Sequence, residues 1–274
     1  MVVREHTVGN ESDYLCIPQT QHAALAGQLA RAWGNLDFPA PAPRQATCLA
    51  AELHDNGMDP FDEAPELDPD SGLPRDFMHM PLGRWIECWE RGPRQVGAEN
   101  PYAGLLVSMH GLHLLEYRRK ADLEEDERVR IEEFERDQRS LQEELRASAA
   151  AVEACEPHLG EAALEANRKL LEVWDAFSLA LCMPRVPESF GGVPGEAGGA
   201  TLRIKEVGTI GSGPVVIEVD PWPFSAERVP LAVAGRLLGG PRSDQAELDQ
   251  ALAGARFQTL EFELLPREQD GLSP

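Results

Sequence analysis

Gln21-His22-Ala23-Ala24-Leu25-Ala26-Gly27 and Ala50-Ala51-Glu52-Leu53-His54-Asp55-Asn56-Gly57 are two stretches of one kind. Each reads as a helix that places an imidazole among small apolar residues. His22 shares a face with Leu25, Ala26, Leu29 and Trp33 at helical spacings. His54 lies over Ala50 and Ala51, and Asp55 follows it directly. The first helix is expected to open at Pro18-Gln19-Thr20, with Thr20 as its N-cap, and to reach about Trp33. The second is expected over Arg44 to Asp55, with Asn56-Gly57 as an ordinary C-terminal stop.

Further helices extend the pattern. A Pro/Asp/Gly-rich loop from Met58 to Pro81 precedes a short helix over Leu82–Arg91. A longer helix follows Asn100-Pro101, with His110 one turn from both Leu106 and Leu114. From Ala121 to Cys155 the chain reads as a highly charged helix with a narrow apolar stripe through Phe134, Leu141, Leu145 and Val152. Pro157 and Gly160 end it, and a last long helix sets Asp175 beside Leu171, Leu179 and Cys182. The chain then turns to strands at Thr201–Val207, Val215–Asp220, Leu231–Ala234 and Gln258–Leu265, with a helix over Ser243–Ala253. Pro184–Gly199 reads as a linker and Gly211-Ser212-Gly213 as a turn. Val2–Val8 and Tyr14–Ile17 read as a hairpin, turned at Gly9-Asn10, that joins the late strands. The expected fold class is α+β: a mainly helical domain over 19–185, with a small antiparallel sheet formed by 1–18 and 200–267.

Bulk properties narrow the function. The 274 residues carry a formal charge of −22, so a basic footprint for nucleic acid or an anionic membrane is absent. No run reaches the roughly 20 apolar residues of a membrane span, and nothing at Met1–Val8 resembles a signal peptide. Five scattered cysteines without a C-x-x-C pair support neither a zinc knuckle nor a redox motif. A cytoplasmic setting is expected.

His22, His54, Asp55, His110 and Asp175 are the candidates for chemistry. Buried imidazole and carboxylate groups are costly unless paired or bound to a cation. Neutral imidazole with carboxylate suits a divalent transition metal such as Mn, Fe, Zn or Ni. The acidic residues Asp59, Asp62, Asp68 and Asp70 lack EF-hand spacing and read as a solvated loop. His79 on that loop reads as a surface group that could approach the site, Arg75 as a contact for an anionic substrate or a partner of a neighbouring Asp, and His6 and His158 as peripheral.

The order His22, His54-Asp55, late Asp175 resembles the HD-domain superfamily of helical metal-dependent phosphohydrolases, some of whose members are di-iron oxygenases. The resemblance implies an HD-like helical domain with His22, His54, Asp55 and Asp175 on a first metal. It implies that His110, or His113, holds a second ion or steadies the leaving group, so Asp55 and His110 are the residues given catalytic roles. Over nearly its full length the chain also resembles a bacterial family of uncharacterised proteins. That likeness lies at Gln21–Ala30, His54–Gly57, Pro65–Phe77, Ser108–His110, Trp174–Cys182 and Asp220–Phe224. Two features depart from HD phosphohydrolases: Met58 stands where a lysine often follows His-Asp-x-Gly, and there is no paired His-His. The expected function is hydrolysis of a small anionic phosphate ester by a metal-activated water. The alternatives are a di-iron oxygenase and a non-catalytic metal-containing binding or scaffold protein. The long charged helix is the expected surface for any oligomer.

Overall fold

Apolar alternation at the start of the chain gives a hairpin. β1 (Val2–Val8) pairs antiparallel with β2 (Glu11–Ile17), Val2 opposite Ile17 and Val8 opposite Glu11. The computed structural model describes residues 1–8, 11–119, 123–183, 189–195, 198–209 and 213–267. The turn expected at Gly9-Asn10 and the Gly211-Ser212 part of the later turn lie outside them, as do the first two residues of the long charged helix.

Helices follow at α1 (Gln19–Ala32), α2 (Arg44–Leu53), α3 (Asp59–Glu63), α4 (Leu82–Glu99), α5 (Pro101–Arg118), α6 (Glu125–Ala150) and α7 (Glu161–Cys182). α1 packs on α2 and α7, and α5 packs on α4 and α6. α4 runs well past the expected end at Arg91, with Pro93 inside it. Proline removes one helix hydrogen bond. Here tertiary packing overrides that loss, because α4 meets α5 at a close glycine crossing. A Cβ on Gly104 would lie 2.6 Å from the Gly97 nitrogen and 2.8 Å from the Pro93 carbonyl oxygen. In α6, Ile131, Phe134, Leu141 and Leu145 are buried while much of the remaining surface is exposed. Its first turn carries a capping box between Glu124 and Glu127.

Gly57 does not act as the expected helix stop. α2 ends at Leu53, and Gly57 lies in a short 3-10 turn without a positive φ. Its small size is needed because α4 passes against it. A Cβ there would run into the Cys88 carbonyl oxygen and come within 3.0 Å of the Gly92 nitrogen. Arg91 Nη2 donates to the Gly57 carbonyl oxygen and closes the contact.

The expected small antiparallel sheet on a mainly helical domain is overturned. Roughly half the chain is helix and a quarter strand, and seven strands form one mixed sheet. Besides the hairpin these are β3 (Ser189–Gly195), β4 (Gly198–Thr209), β5 (Val215–Asp220), β6 (Val229–Leu238) and β7 (Phe257–Pro266). Their order is β1-β2-β6-β7-β5-β4-β3. Two causes enlarge the sheet. Ser189–Gly195, expected as linker, pairs with β4 through Phe190–Leu202 and Val193–Ala200. After β6, α8 (Gln245–Gly254) carries the chain back so that β7 inserts between β6 and β5, antiparallel to β6 and parallel to β5.

Helices and sheet share one core. A continuous buried cluster includes Leu15 and Ile17 of the hairpin, Leu25 and Leu29 of α1, Trp174 of α7, and Ile217 and Leu264 of the sheet. Trp33 sits at its centre, edge-on to Phe38, Trp174 and Phe224. The Asp220-Pro221-Trp222-Pro223-Phe224 exit from β5 thereby packs on the C-terminal end of α1. Where β2 leaves the sheet and becomes α1, the helix follows the edge of β6. Gln28 Nε2 donates to the Ala232 carbonyl oxygen at 2.9 Å, and the Ala232 N–H donates back to Gln28 Oε1 at 3.0 Å.

Candidate metal centre

Four helical segments converge on Asp175. His22 comes from α1, His54 and Asp55 from the end of α2, His110 from α5 and Asp175 from α7. All five residues are buried. Asp175 Oδ1 lies 3.4 Å from His54 Nε2 and 3.9 Å from His22 Nδ1, and Oδ2 lies 3.2 Å from His110 Nε2. Asp55 Oδ2 lies 2.7 Å from His22 Nε2 and 3.6 Å from His54 Nε2. The rings of His22 and His54 stand edge-on at 5.0 Å, and those of His54 and His110 at 5.5 Å.

A backbone contact assigns the His54 tautomer. His54 Nδ1 is 2.9 Å from the Ala51 carbonyl oxygen, which only accepts, so Nδ1 carries the proton. Ser178 donates its hydroxyl to the Asp175 backbone carbonyl at 2.9 Å. His22 bridges two partners, Ser178 Oγ at 3.0 Å through Nδ1 and Asp55 Oδ2 at 2.7 Å through Nε2. Neutral His54 therefore turns an Nε2 lone pair toward Asp55 and Asp175. Lone pair facing carboxylate is repulsive unless a proton or a metal ion lies between them. His54 Nε2 and both nitrogens of His110 are buried and lack a hydrogen-bond partner. The approaches to Asp175 are thus electrostatic contacts that miss hydrogen-bond alignment.

Protonation preferences follow the same geometry. Burial disfavours the charged form of His54, but Asp55 and Asp175 outweigh it and push its pKa up to about 9. Burial alone would raise Asp55, yet His54 and His22 hold it below its ordinary value. Asp175 is held well below its ordinary value, because contacts from His110 and His54 exceed the burial penalty. Both carboxylates therefore stay ionised and attract a cation. One ligand atom each from His22, His54 and Asp175 lie within 4.8 Å of one another. That spacing and the nitrogen-oxygen donor set fit a divalent transition metal.

Not every sequence candidate joins the site. His113 turns away and bonds Glu172 at 3.0 Å, so it is not a second-metal ligand here. His79 and Arg75 lie on the loop, and Arg75 pairs with Glu66. Asp62 is a correction: it is buried rather than solvated. Pro18 precedes α1 and Thr20 is not its cap. Asp62 Oδ2 instead accepts the Gln19 and Thr20 N–H groups at 2.5 and 3.3 Å. Asp62 also lies 3.3 Å from the Met1 amino group. Burial raises its pKa, against the pull of that amino group and the two N–H donors. Residues that the sequence did not single out complete the surroundings. Ser178 orients His22, and Gln19 Nε2 donates to Asp55 Oδ2 at 3.4 Å.

A cavity of about 350 Å³ opens onto His22, His54, Asp55 and Asp175. Most of its other wall is apolar, including Trp85, Trp89, Phe77 and Leu179, with Arg118 as a cation. Among the described residues no helix is long and apolar enough to cross a membrane. No curated protein and no solved structure matches the chain. A family match covers residues 1–239, to the family described as protein of unknown function (DUF3891).

Proposed function

We propose that this chain, which belongs to the DUF3891 family, is a metal-dependent hydrolase of HD type acting on a phosphate ester. The observation that carries this reading is the buried, unpartnered Nε2 of His54, turned toward both Asp55 and Asp175 beside a cavity. His22, His54, Asp55 and Asp175 would hold a divalent transition metal, with His110 beside them. Such an ion supplies Lewis acidity and lowers the pKa of a coordinated water.

The chain's own groups set up the reaction. The Ala51 carbonyl and Ser178 fix the two imidazoles so that each Nε2 faces inward. Asp55 and Asp175 supply the negative charge that keeps a cation in place. His110 contacts the far oxygen of Asp175 through Nε2 and would steady that carboxylate. Trp85, Trp89 and Leu179 limit water around the reacting atoms. The substrate is a small anion, and the setting is cytoplasmic, in keeping with the five free, buried cysteines.

Metal analysis of the purified chain under several loading conditions tests this. Wild type should carry stoichiometric transition metal, His54→Ala and Asp175→Ala should lose it, and a phosphatase and phosphodiesterase panel should show turnover in the wild type alone. A wild type that takes up no metal overturns the reading. Metal without turnover on the panel indicates a binding protein instead, and iron with an oxygen-dependent spectrum indicates the oxygenase.

A further inference from the structure

Among the described residues Arg118 has no carboxylate partner. It is half-buried at the end of α5 and lines the same cavity as His54, Asp55 and Asp175. Its Nη1 donates to the Met80 carbonyl oxygen at 2.9 Å, and its Cζ stands 5.9 Å from the centre of the Trp85 ring. Among the described residues no carboxylate forms an ion pair with it, in a chain whose formal charge is −22. A guanidinium has five N–H donors, and its described hydrogen bond uses one of them. Burial without a carboxylate partner is costly for a cation. A ligand anion would remove that cost.

The rest of the wall has a different chemistry. Trp85 and Trp89 lie 5.9 Å apart with a 41° tilt, and Phe77, Met58 and Leu114 continue the apolar surface. Met78 and Tyr117 line the cavity too and are 55% and 57% exposed, which places them at its opening. About 350 Å³ is near the lower end for ligand sites and suits one or two rings. A divalent ion balanced by Asp55 and Asp175 is electrically neutral, so Arg118 leaves the cavity one positive charge in excess.

Resting on the hydrolase reading above, we propose that the cavity selects an anion carried on a flat apolar body. The ester is of aryl type, its anionic group gripped by Arg118 beside the metal site and its ring seated among Trp85, Trp89 and Phe77. Arg118 is a specificity-determining contact, and Met78 closes over the ring from the rim.

Titration calorimetry with two non-hydrolysable probes, phenylphosphonate and methylphosphonate, tests this on the full chain with and without added metal. Wild type should bind phenylphosphonate about tenfold more tightly than methylphosphonate, the effect of burying one ring. Arg118→Met should weaken both probes about tenfold, and Arg118→Lys should weaken them less. Met78→Ser, at an exposed position, should narrow the phenyl-to-methyl ratio. Circular dichroism melts and metal content show that each variant is folded and loaded. Equal affinity for the two probes, or wild-type phosphonate binding by folded Arg118→Met, overturns the proposal. Absence of metal, by contrast, strikes at the hydrolase reading. An aryl preference that depends on Arg118 in the metal-free chain would still support this cavity assignment.

Discussion

His22 Nε2 stands 2.7 Å from Asp55 Oδ2, while the other nitrogen of the same ring is already held by Ser178. The ring is therefore held at both nitrogens by buried partners. A metal ion bound at Nε2 would replace that 2.7 Å hydrogen bond.

Ser178 is accordingly a positioning residue. Ser178→Ala should lower metal affinity by about 10- to 100-fold, the usual cost of losing an outer partner of a ligating histidine. Competition with a chromogenic chelator measures this. Thermal stability of the metal-free variant should fall far less, and unchanged affinity would remove the serine from the site's support.

Stability of the metal-free chain should depend on pH in both directions. His54 is raised to about 9 in the folded state, against about 6.5 when unfolded. Its contribution, on the order of 3 kcal/mol, is complete below about pH 6.5 and is lost as pH rises through about 9. Asp55 and Asp175 are lowered, so their contribution is present above about pH 4 and lost as pH falls. Chelator-treated protein should therefore melt highest between about pH 4 and 6.5. Added metal competes with the His54 proton, so it should raise the melting temperature more at pH 9 than at pH 6. Melts across this range, with and without metal, check both directions.

Asp62→Ala should destabilise the fold by about 1–3 kcal/mol, because the buried Gln19 N–H and the part-buried Thr20 N–H at the start of α1 lose their acceptor. Asp62→Asn retains an oxygen and should cost less. Urea unfolding followed by tryptophan fluorescence reads the difference. Since α1 carries His22, metal affinity should weaken in step with the loosened helix start.

His110 and His113 should separate cleanly. His113→Ala should leave metal content unchanged, since its partner is Glu172 and it does not line the cavity. His110→Gln should reduce metal content or turnover, because its Nε2 contacts Asp175. Elemental analysis of the two variants side by side decides between them.

The site was more legible in the sequence than the sheet. Helical spacing placed His22 and Asp175 on apolar faces, and no spacing argument could show that the four segments meet. The structure brings His22, His54 and His110 together around two carboxylates, Asp55 and Asp175. Arg118 was invisible because a charged residue at a helix end reads as solvated. Asp62 was misread because its acceptor role depends on a helix start 43 residues earlier in the chain. Strand β3 escaped because Gly191, Gly192 and Pro194 carry no strand periodicity; it exists through pairing with β4. The parallel β5–β7 pair depends on α8 returning the chain between two strands, which local pattern does not encode.

The reciprocal bonds between Gln28 and Ala232 have a consequence for self-association. Beyond the short β2 pairing, the backbone edge of β6 would present donors and acceptors to any passing strand. One glutamine side chain imitates a neighbouring strand at Ala232, and the helix that carries it covers that edge.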